Sequence, residues 1–247
     1  MIDAPLVAAL RGAARASRLL VACDYDGTLA PIVGDPAAAF PYGPAVDALA
    51  DLARYAGVGS VIISGRSVDT LLGFVGTHAD IELIGDHGVR LSGNDPVASR
   101  TVREITKELK GIADEFEGAT VEPKPLGAAF HYRHVAQPEQ AADAARTVGA
   151  RFDARVLEGK KVVEIMVGHG DKGSAISHMR KRDDFERVVF FGDDVTDEDV
   201  FAILDLPDVG VKVGPGGTRA THRVGDPKQV AEALEILGSE RRLRTGE

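Results

Sequence analysis

The stretch Val21-Ala22-Cys23-Asp24-Tyr25-Asp26-Gly27-Thr28-Leu29 decides how the rest of the chain is interpreted. It continues an apolar run that begins at Leu19 and predicts a buried strand, which stops at two aspartates and a glycine that permits a sharp turn. A buried carboxylate is costly unless it is compensated, and a divalent cation or a phosphate-handling site at the end of a parallel strand would compensate it. Asp24 is therefore a candidate nucleophile and Asp26 a second working carboxylate, although a solvated turn has the same pattern.

The composition limits the class of protein. A chain of 247 residues with 44% hydrophobic content can form one large domain or two small ones. Its net charge of -9 argues against nucleic acid or an anionic membrane as the main partner. The single cysteine, Cys23, excludes an internal disulfide and a four-cysteine zinc site, and no signal peptide or membrane span is visible. We expect a monomeric, cytoplasmic protein that acts on a small molecule.

Two further predicted strands end in polar residues. Residues 59–63 form an apolar run that leads into Ser64-Gly65-Arg66, and residues 187–191 lead into Gly192-Asp193-Asp194. A strand followed by a short turn and a helix start can hold an anion through backbone N–H groups and a hydroxyl. Ser64 could equally be a helix N-cap, which is as plausible for this residue considered alone.

A glycine-rich segment near residue 170 offers a competing interpretation. Gly168-x-Gly170-x-x-Gly173 has the spacing of a dinucleotide-binding fingerprint, with Asp193 at about the required distance of ~20 residues. We reject this reading because the preceding strand belongs to an antiparallel insert and because it leaves Asp24 unexplained. Lys172 is more informative, since a cation in the first turn of a helix opposes the helix dipole unless a nearby anion compensates it.

The pattern of elements changes between residues 91 and 167. A helix at 102–116 is followed by strands at 120–124 and 127–134, and a helix at 138–149 is followed by strands at 152–157 and 161–167. This helix-strand-strand unit occurs twice, and its short connections predict antiparallel pairs. We therefore predict an α/β core domain of residues 1–90 and 168–247 with a smaller α+β domain of residues 91–167 inserted into it. A strand at 209–213 and a helix at 227–237 complete the core, and the charged tail from 239 is expected to be disordered.

Alternation along the inserted strands places polar side chains on one face of the predicted sheet. These residues are Lys124, His131, Arg133 and Glu164. The face is either an ordinary solvated surface or the lining of a lid that binds a hydroxylated substrate. The residues alone leave both interpretations open.

The motifs taken together resemble a known group of enzymes. Asp24-x-Asp26, Ser64, Lys172 and Asp193-Asp194, in this order, resemble the haloacid-dehalogenase-like phosphohydrolases. More of the chain is similar to the trehalose-6-phosphate phosphatase family, through the segments Asp24-Tyr25-Asp26-Gly27-Thr28-Leu29-Ala30-Pro31-Ile32, Ser64-Gly65-Arg66, His87-Gly88, His131-Tyr132-Arg133, Asp171-Lys172-Gly173 and Gly192-Asp193-Asp194-x-Thr196-Asp197-Glu198. The resemblance covers residues 19–237 and implies a Rossmann-like core with a parallel sheet and an inserted α+β cap.

The resemblance also implies a reaction. The chain is expected to be a Mg²⁺-dependent phosphatase of trehalose biosynthesis that hydrolyses trehalose 6-phosphate to trehalose and phosphate. Asp24 would attack phosphorus and form an aspartyl-phosphate, and Asp26 would act as the acid and later the base. Ser64 and Lys172 would hold the phosphoryl oxygens.

The ligands of the metal and of the sugar follow from the same resemblance. Mg²⁺ would be bound by Asp24, by the backbone carbonyl of Asp26 and by Asp193, with Asp194 and Asp197 in outer or water-mediated positions. The residues implied in substrate binding are Arg66, Lys124, His131, Arg133 and Glu164. His87 is expected to have a structural role or a role in a substrate loop, and it follows Asp86 where many relatives have serine or asparagine.

Other functions remain to be distinguished. A phosphatase of another phosphorylated disaccharide or of a glycosyl-phosphoglycerate would share the chemistry and differ in its cap contacts. A phospho-accepting signalling module also combines acids, a hydroxyl and a lysine, but Ser64 rather than an aspartate ends the next core strand, and such modules lack an inserted domain. An inactive relative that only binds sugar phosphate is disfavoured by the complete set of acids.

Overall fold

The structure is a computed structural model that describes residues 2–76, 80–88, 96–124, 126–152, 154–167 and 171–245. Contacts between residues divide the chain into two units, the first comprising Met1–Gly88 and Gly170–Glu247 and the second Val89–His169. Gly168 and Gly170 of the rejected fingerprint lie outside the described residues. No described helix is both long enough and apolar enough to cross a membrane.

The first unit is built on a parallel sheet of six strands. Its elements, in chain order, are α1 (Ala4–Ala14), β1 (Leu19–Cys23), α2 (Gly43–Ala53), β2 (Val58–Ile63), α3 (Val68–Val75), β3 (Ile81–Ile84), α6 (Lys172–Arg182), β8 (Arg187–Gly192), α7 (Glu198–Phe201), β9 (Val209–Val213), β10 (His222–Val224) and α8 (Pro227–Thr245). The strand order is β10-β9-β8-β1-β2-β3, and all neighbouring strands are parallel. The expected Rossmann-like core with a parallel sheet is confirmed.

Strand β1 lies in the middle of this sheet and is buried along its whole length. Leu19, Val21 and Cys23 pack with helices α1, α2, α3 and α8, whereas Leu20 and Ala22 pack with α6 and α7 on the opposite face. Helices on both faces explain why the strand is apolar at every position instead of at alternate ones. Burial raises the pKa of the Cys23 thiol, which agrees with its assignment as a core residue.

The carboxyl terminus differs from the expectation of a disordered tail. Helix α8 continues to Thr245, so the prediction of disorder from residue 239 is wrong for the described residues up to 245. The reason is packing against the start of the chain: Arg15 donates to Glu240 at 3.0 Å, and Arg241 is only 4% exposed. Helix α1 buries Leu6 and Leu10 in the core.

The second unit is an antiparallel sheet covered by two helices. Its elements are α4 (Pro96–Glu115), β4 (Thr120–Lys124), β5 (Gly127–His131), α5 (Pro138–Arg151), β6 (Arg155–Gly159) and β7 (Val162–Met166). The strand order is β4-β5-β7-β6, and every pair is antiparallel. Side chains from both helices pack with Phe130, Val163 and Ile165 on one face of the sheet. The expected α+β cap with two helix-strand-strand repeats is confirmed.

Several boundaries differ from the predicted ones. Strand β5 ends at His131 and not at residue 134, because the chain enters a turn there. Phe152, predicted to begin a strand, ends helix α5 because its N–H donates to the carbonyls of Val148 and Gly149. The short strand β10 was not predicted, since three residues carry little periodicity.

Candidate active site

The candidate site lies at the carboxyl ends of the central strands of the core sheet. Strands β1 and β8 are adjacent and parallel, so the aspartates that follow them emerge at the same edge. The register is fixed as far as the site itself, because the Asp24 N–H donates to the Phe191 carbonyl at 2.9 Å. The chain runs outward from β1 to β2 and β3 on one side of the sheet and from β8 to β9 and β10 on the other, so the strand order reverses between β1 and β8. Parallel sheets bind their ligands at such a reversal.

Lys172 is the cation at the centre of the site. It is the first residue of α6 and is 2% exposed. Its ammonium donates to Asp24 Oδ1 at 2.5 Å and to Asp197 Oδ1 at 2.8 Å. Burial alone would lower the pKa of Lys172, but the carboxylates of Asp197 and Asp24 raise it above its usual value. Two anions thus compensate a cation placed against the helix dipole.

Asp197 organises the loop that follows β8. Its side chain is fully buried, and its Oδ2 accepts the N–H groups of Asp193 at 2.8 Å and Asp194 at 2.9 Å. A turn of 3-10 helix, Val195–Asp197, folds it back under these two N–H groups. Gly192 makes room for it, since a Cβ there would lie 2.4 Å from Asp197 Cγ. The resemblance implies an outer or water-mediated position for Asp197, and the structure places its carboxylate beside those of Asp24 and Asp193, with both oxygens already accepting hydrogen bonds.

Three carboxylates of this unit form a group with the dimensions of a metal site. Oxygens of Asp24, Asp193 and Asp197 all lie within 4.8 Å of one another. Asp193 Oδ1 is buried and has no hydrogen-bond partner among the described residues. Gly27, at φ 82°, leaves space beside it, because a Cβ there would lie 2.0 Å from Asp193 Oδ2. Hard oxygen ligands with an unsatisfied buried acceptor fit Mg²⁺.

The electrostatics of the cluster favour the arrival of a cation. Burial raises the pKa of Asp24 well above its usual range, against the opposing effect of Lys172. Burial, followed by the charges of Asp197 and Asp194, raises the pKa of Asp193 to about 7. Both shifts mean that ionisation of these carboxyl groups is unfavourable without a cation, and a divalent cation would stabilise the ionised forms.

Asp26 is held by an arginine from the next strand's loop. Arg66 donates from Nε to Asp26 Oδ2 and from Nη2 to Asp26 Oδ1, each at 2.7 Å. The Asp26 side chain is nevertheless 42% exposed. The resemblance implies that Arg66 binds the substrate; in the structure its guanidinium binds Asp26. The suggested metal ligand at the Asp26 carbonyl remains a prediction.

Ser64 is fixed between two loops. It is 1% exposed, its N–H donates to the Ile84 carbonyl at 3.0 Å, and its Oγ accepts the Arg66 N–H at 3.2 Å. His87 has a left-handed backbone, at φ 55°, and its N–H donates to the Ser64 carbonyl at 2.9 Å. Gly65 allows this approach, since a Cβ there would lie 2.4 Å from His87 Nε2. His87 therefore braces the loop that presents Ser64.

The second unit carries the residues predicted to bind sugar. Lys124 donates to Glu164 Oε1 at 2.8 Å, and Glu164 is 9% exposed. The register of β4, β5 and β7 places both on one face together with His131, which lies 3.0 Å from Glu122. Glu122 was missed, although its spacing of two from Lys124 signalled the shared face. Arg133 lies in the exposed turn after β5 and not on the strand.

Comparisons with known proteins identify one family. A family model described as trehalose-phosphatase matches residues 22–219. The bifunctional trehalose-6-phosphate synthase/phosphatase of Thermoproteus tenax is 34% identical over 237 residues, which are 91% of this chain and 32% of that protein. Trehalose-phosphate phosphatase B of Arabidopsis thaliana is 30% identical over 265 residues, with 95% of this chain and 70% of that protein covered. The chain thus spans about a third of the first relative's length.

A solved structure agrees with this. The C-terminal domain of Candida albicans trehalose-6-phosphate phosphatase superposes with a TM-score of 0.77 at 25% identity. The match covers 95% of this chain and 96% of that one. The likeness therefore includes both units of the fold.

Proposed function

The chain belongs to the trehalose-phosphatase family, and from this premise we propose that it is a Mg²⁺-dependent phosphatase that converts trehalose 6-phosphate to trehalose and phosphate. The observation that carries the proposal is the buried Lys172 between Asp24 and Asp197, beside Asp193 with its unsatisfied oxygen. Hydrolysis through an aspartyl-phosphate needs a carboxylate nucleophile and fixed positive charge, and this cluster supplies both.

In the first half of the reaction Asp24 is the nucleophile. Its carboxylate attacks phosphorus, the bond from phosphorus to the sugar oxygen breaks, and Asp26 gives a proton to that oxygen. Lys172, already bonded to Asp24 Oδ1, stabilises charge on the phosphoryl oxygens, together with Ser64. Asp24, Asp193 and the backbone carbonyl of Asp26 would hold Mg²⁺, with Asp197 beside them, and the ion would neutralise the charge that these acids share with the phosphate.

In the second half water replaces the sugar. Asp26 takes a proton from the water that attacks the phosphorus of the aspartyl-phosphate, and Asp24 is released as a carboxylate. The same side chain thus gives a proton and then receives one, which requires it to be accessible to both leaving group and water. The 42% exposure of Asp26 supports this role.

The sugar is recognised by the polar face of the second unit. Lys124 and Glu164 are paired at 2.8 Å and mostly buried, so a cationic donor and an anionic acceptor are held side by side. Vicinal hydroxyls of glucose can donate to the carboxylate and accept from the ammonium. His131 and Glu122 extend the same face, and Arg133 at its edge is a further candidate contact.

The covalent intermediate provides the test. An Asp26→Asn variant mixed with Mg²⁺ and p-nitrophenyl phosphate, whose leaving group departs without a proton, and then quenched in acid should accumulate phosphate on the peptide that contains Asp24, because the acyl phosphate still forms but its hydrolysis has lost its base. Mass spectrometry locates the modified residue. An Asp24→Asn variant with an unchanged circular dichroism spectrum should show neither labelling nor turnover.

Two outcomes would reject the proposal. Near-normal phosphate release by Asp24→Asn would remove the nucleophile, and labelling of another residue would relocate it. A control for adventitious labelling is the double variant Asp24→Asn/Asp26→Asn, which lacks the nucleophile and should remain unlabelled.

A further inference from the structure

Arg66 binds Asp26 through a pair of parallel hydrogen bonds, here called the fork, which a ligand would have to displace. The guanidinium gives Nε and Nη2 to the two oxygens of Asp26, both at 2.7 Å, and Nη2 also donates to the Pro36 carbonyl at 3.0 Å. Two parallel charge-assisted bonds of this length fix both the position and the plane of the carboxylate. The side toward Asp26 is therefore not available to a phosphate.

The guanidinium lies in an aromatic cradle. Its central carbon is 5.3 Å from the centre of the Tyr25 ring and 4.9 Å from that of Phe74. Tyr25 is fully buried and its hydroxyl donates to the Ala39 carbonyl at 2.8 Å, while Phe40 packs edge-on against Phe74. Cation–π attraction on partly desolvated rings holds the guanidinium in place without any ligand.

The two partners differ in exposure. The Arg66 side chain is 13% exposed, and that of Asp26 is 42% exposed. Each Asp26 oxygen accepts one of the two bonds from the fork, and a carboxylate oxygen has two lone pairs. Asp26 is therefore the partner that is more accessible to a substrate.

The backbone of Arg66 ties the same pair to Ser64. Its N–H donates to Ser64 Oγ at 3.2 Å, and its carbonyl accepts the Asp86 N–H at 3.1 Å. One residue thus connects the loops that follow β1, β2 and β3. A shift of Arg66 would move the proposed acid and the proposed phosphate-binding hydroxyl together.

We infer that Arg66 is a positioning residue: it holds the carboxylate of Asp26 at the point where the sugar oxygen leaves, and it does not bind the substrate's phosphate. The inference rests on the proposed function, in which Asp26 serves the departing oxygen. It differs from the substrate-binding role that the family resemblance implies for Arg66. The contacts of the fork and the cradle carry it.

Substrates with different leaving groups distinguish the positioning of Asp26 from the binding of phosphate. Trehalose departs as a poor leaving group that needs a proton, whereas p-nitrophenolate departs from p-nitrophenyl phosphate without one. The ratio kcat/KM reports the steps up to this departure, so loss of Asp26 function lowers it for the sugar phosphate and much less for the aryl ester. Arg66→Ala should lower kcat/KM for trehalose 6-phosphate about 100-fold and that for the aryl phosphate by less than about threefold.

A double-mutant cycle tests whether Arg66 acts through Asp26. Asp26→Ala and Asp26→Ala/Arg66→Ala should have values of kcat/KM for trehalose 6-phosphate within about twofold of each other, since the second change removes the support of a group already absent. Arg66→Lys keeps the charge in the cradle and loses the fork, so it should fall between Arg66→Ala and wild type. It also serves as the test variant if Arg66→Ala does not fold.

The control is Arg182→Ala, which removes another ion-paired arginine of the core unit, bonded to Glu82. It should change neither value of kcat/KM. Equal losses of Arg66→Ala on both substrates, expressed mainly in KM, would show phosphate binding and overturn the inference alone. Additive losses in the double mutant would overturn it as well. A wild-type chain inert towards both substrates would overturn the proposed function and the inference with it.

Discussion

Replacing Asp197 with asparagine changes one atom of a fully buried side chain that makes three hydrogen bonds. Oδ2 accepts the N–H groups of Asp193 and Asp194, and Oδ1 accepts Lys172. An amide has one acceptor oxygen, so an asparagine must turn an NH₂ group towards either the two N–H groups or the ammonium. Donor then faces donor in both orientations. We predict that Asp197→Asn destabilises the core unit severely.

The magnitude follows from the burial of the ion pair. Removing one partner of a buried ion pair costs about 3–5 kcal/mol. For a chain of this size, 1 kcal/mol corresponds to about 2–4 °C in the melting temperature, so we expect a decrease of about 6–20 °C. The substitution also removes repulsion between Asp197 and the other two acids. The decrease should therefore be larger with Mg²⁺, which already neutralises that repulsion, than with a chelator.

Thermal unfolding followed by circular dichroism, with Mg²⁺ and with a chelator, measures the effect. The matched control is Asp194→Asn: this exposed residue accepts the Val195 N–H at 2.6 Å, which asparagine can also accept. The control should melt within about 2 °C of wild type. If Asp197→Asn in Mg²⁺ melts as closely to wild type as the control does, the account of the buried cluster is refuted.

Three further predictions concern the metal, the sugar and the pH. Gly27→Ala should raise the Mg²⁺ concentration needed for half-maximal phosphate release and lower kcat about 100-fold, because a Cβ would lie 2.0 Å from Asp193 Oδ2. An unchanged Mg²⁺ titration would contradict the placement of the metal beside Asp193. Glu164→Gln should lower kcat/KM for trehalose 6-phosphate about 10- to 100-fold by weakening a charge-assisted contact of about 1.5–3 kcal/mol, and leave an aryl phosphate nearly unaffected; equal losses would reject the sugar clamp. The pKa of Asp193 is raised to about 7 from an ordinary value of about 3.9. In chelator the protonated carboxyl group therefore contributes to stability below about pH 4, and this contribution is lost as the pH rises through about 7. A melting temperature in chelator that rises between about pH 5 and 8 would contradict the assignment.

The residues at strand ends could be predicted because their signals are local. Asp24, Ser64 and Asp193 each follow directly on an apolar run, and parallel strands bring their carboxyl ends to one edge. Lys172 was singled out for the same reason, since a lysine in the first turn of a helix is unfavourable within its own segment. The structure supplies the missing anions, Asp24 and Asp197.

Contacts between distant segments could not be predicted. The Arg66 fork reaches Asp26 across 40 positions of sequence, and it exists because β1 and β2 are neighbours in the sheet. The end of helix α8 has the composition of a solvated tail, and its contact with Arg15 joins residues 225 positions apart. The position of Asp197 beside Asp24 and Asp193 depends on a short 3-10 turn, which is too short to show a periodic pattern in the sequence.

Phosphate release from a panel of phosphate esters tests the central claim most directly. The panel contains trehalose 6-phosphate, sucrose 6-phosphate, glucose 6-phosphate, glucosyl-phosphoglycerate and p-nitrophenyl phosphate, each assayed with Mg²⁺ and with a chelator. The account predicts a kcat/KM for trehalose 6-phosphate at least about 10-fold above every other substrate, equivalent to about 1.4 kcal/mol of discrimination, and no release in chelator. A preference for another sugar phosphate would contradict the assignment of the sugar-binding face, and no release from any ester would contradict the phosphatase itself.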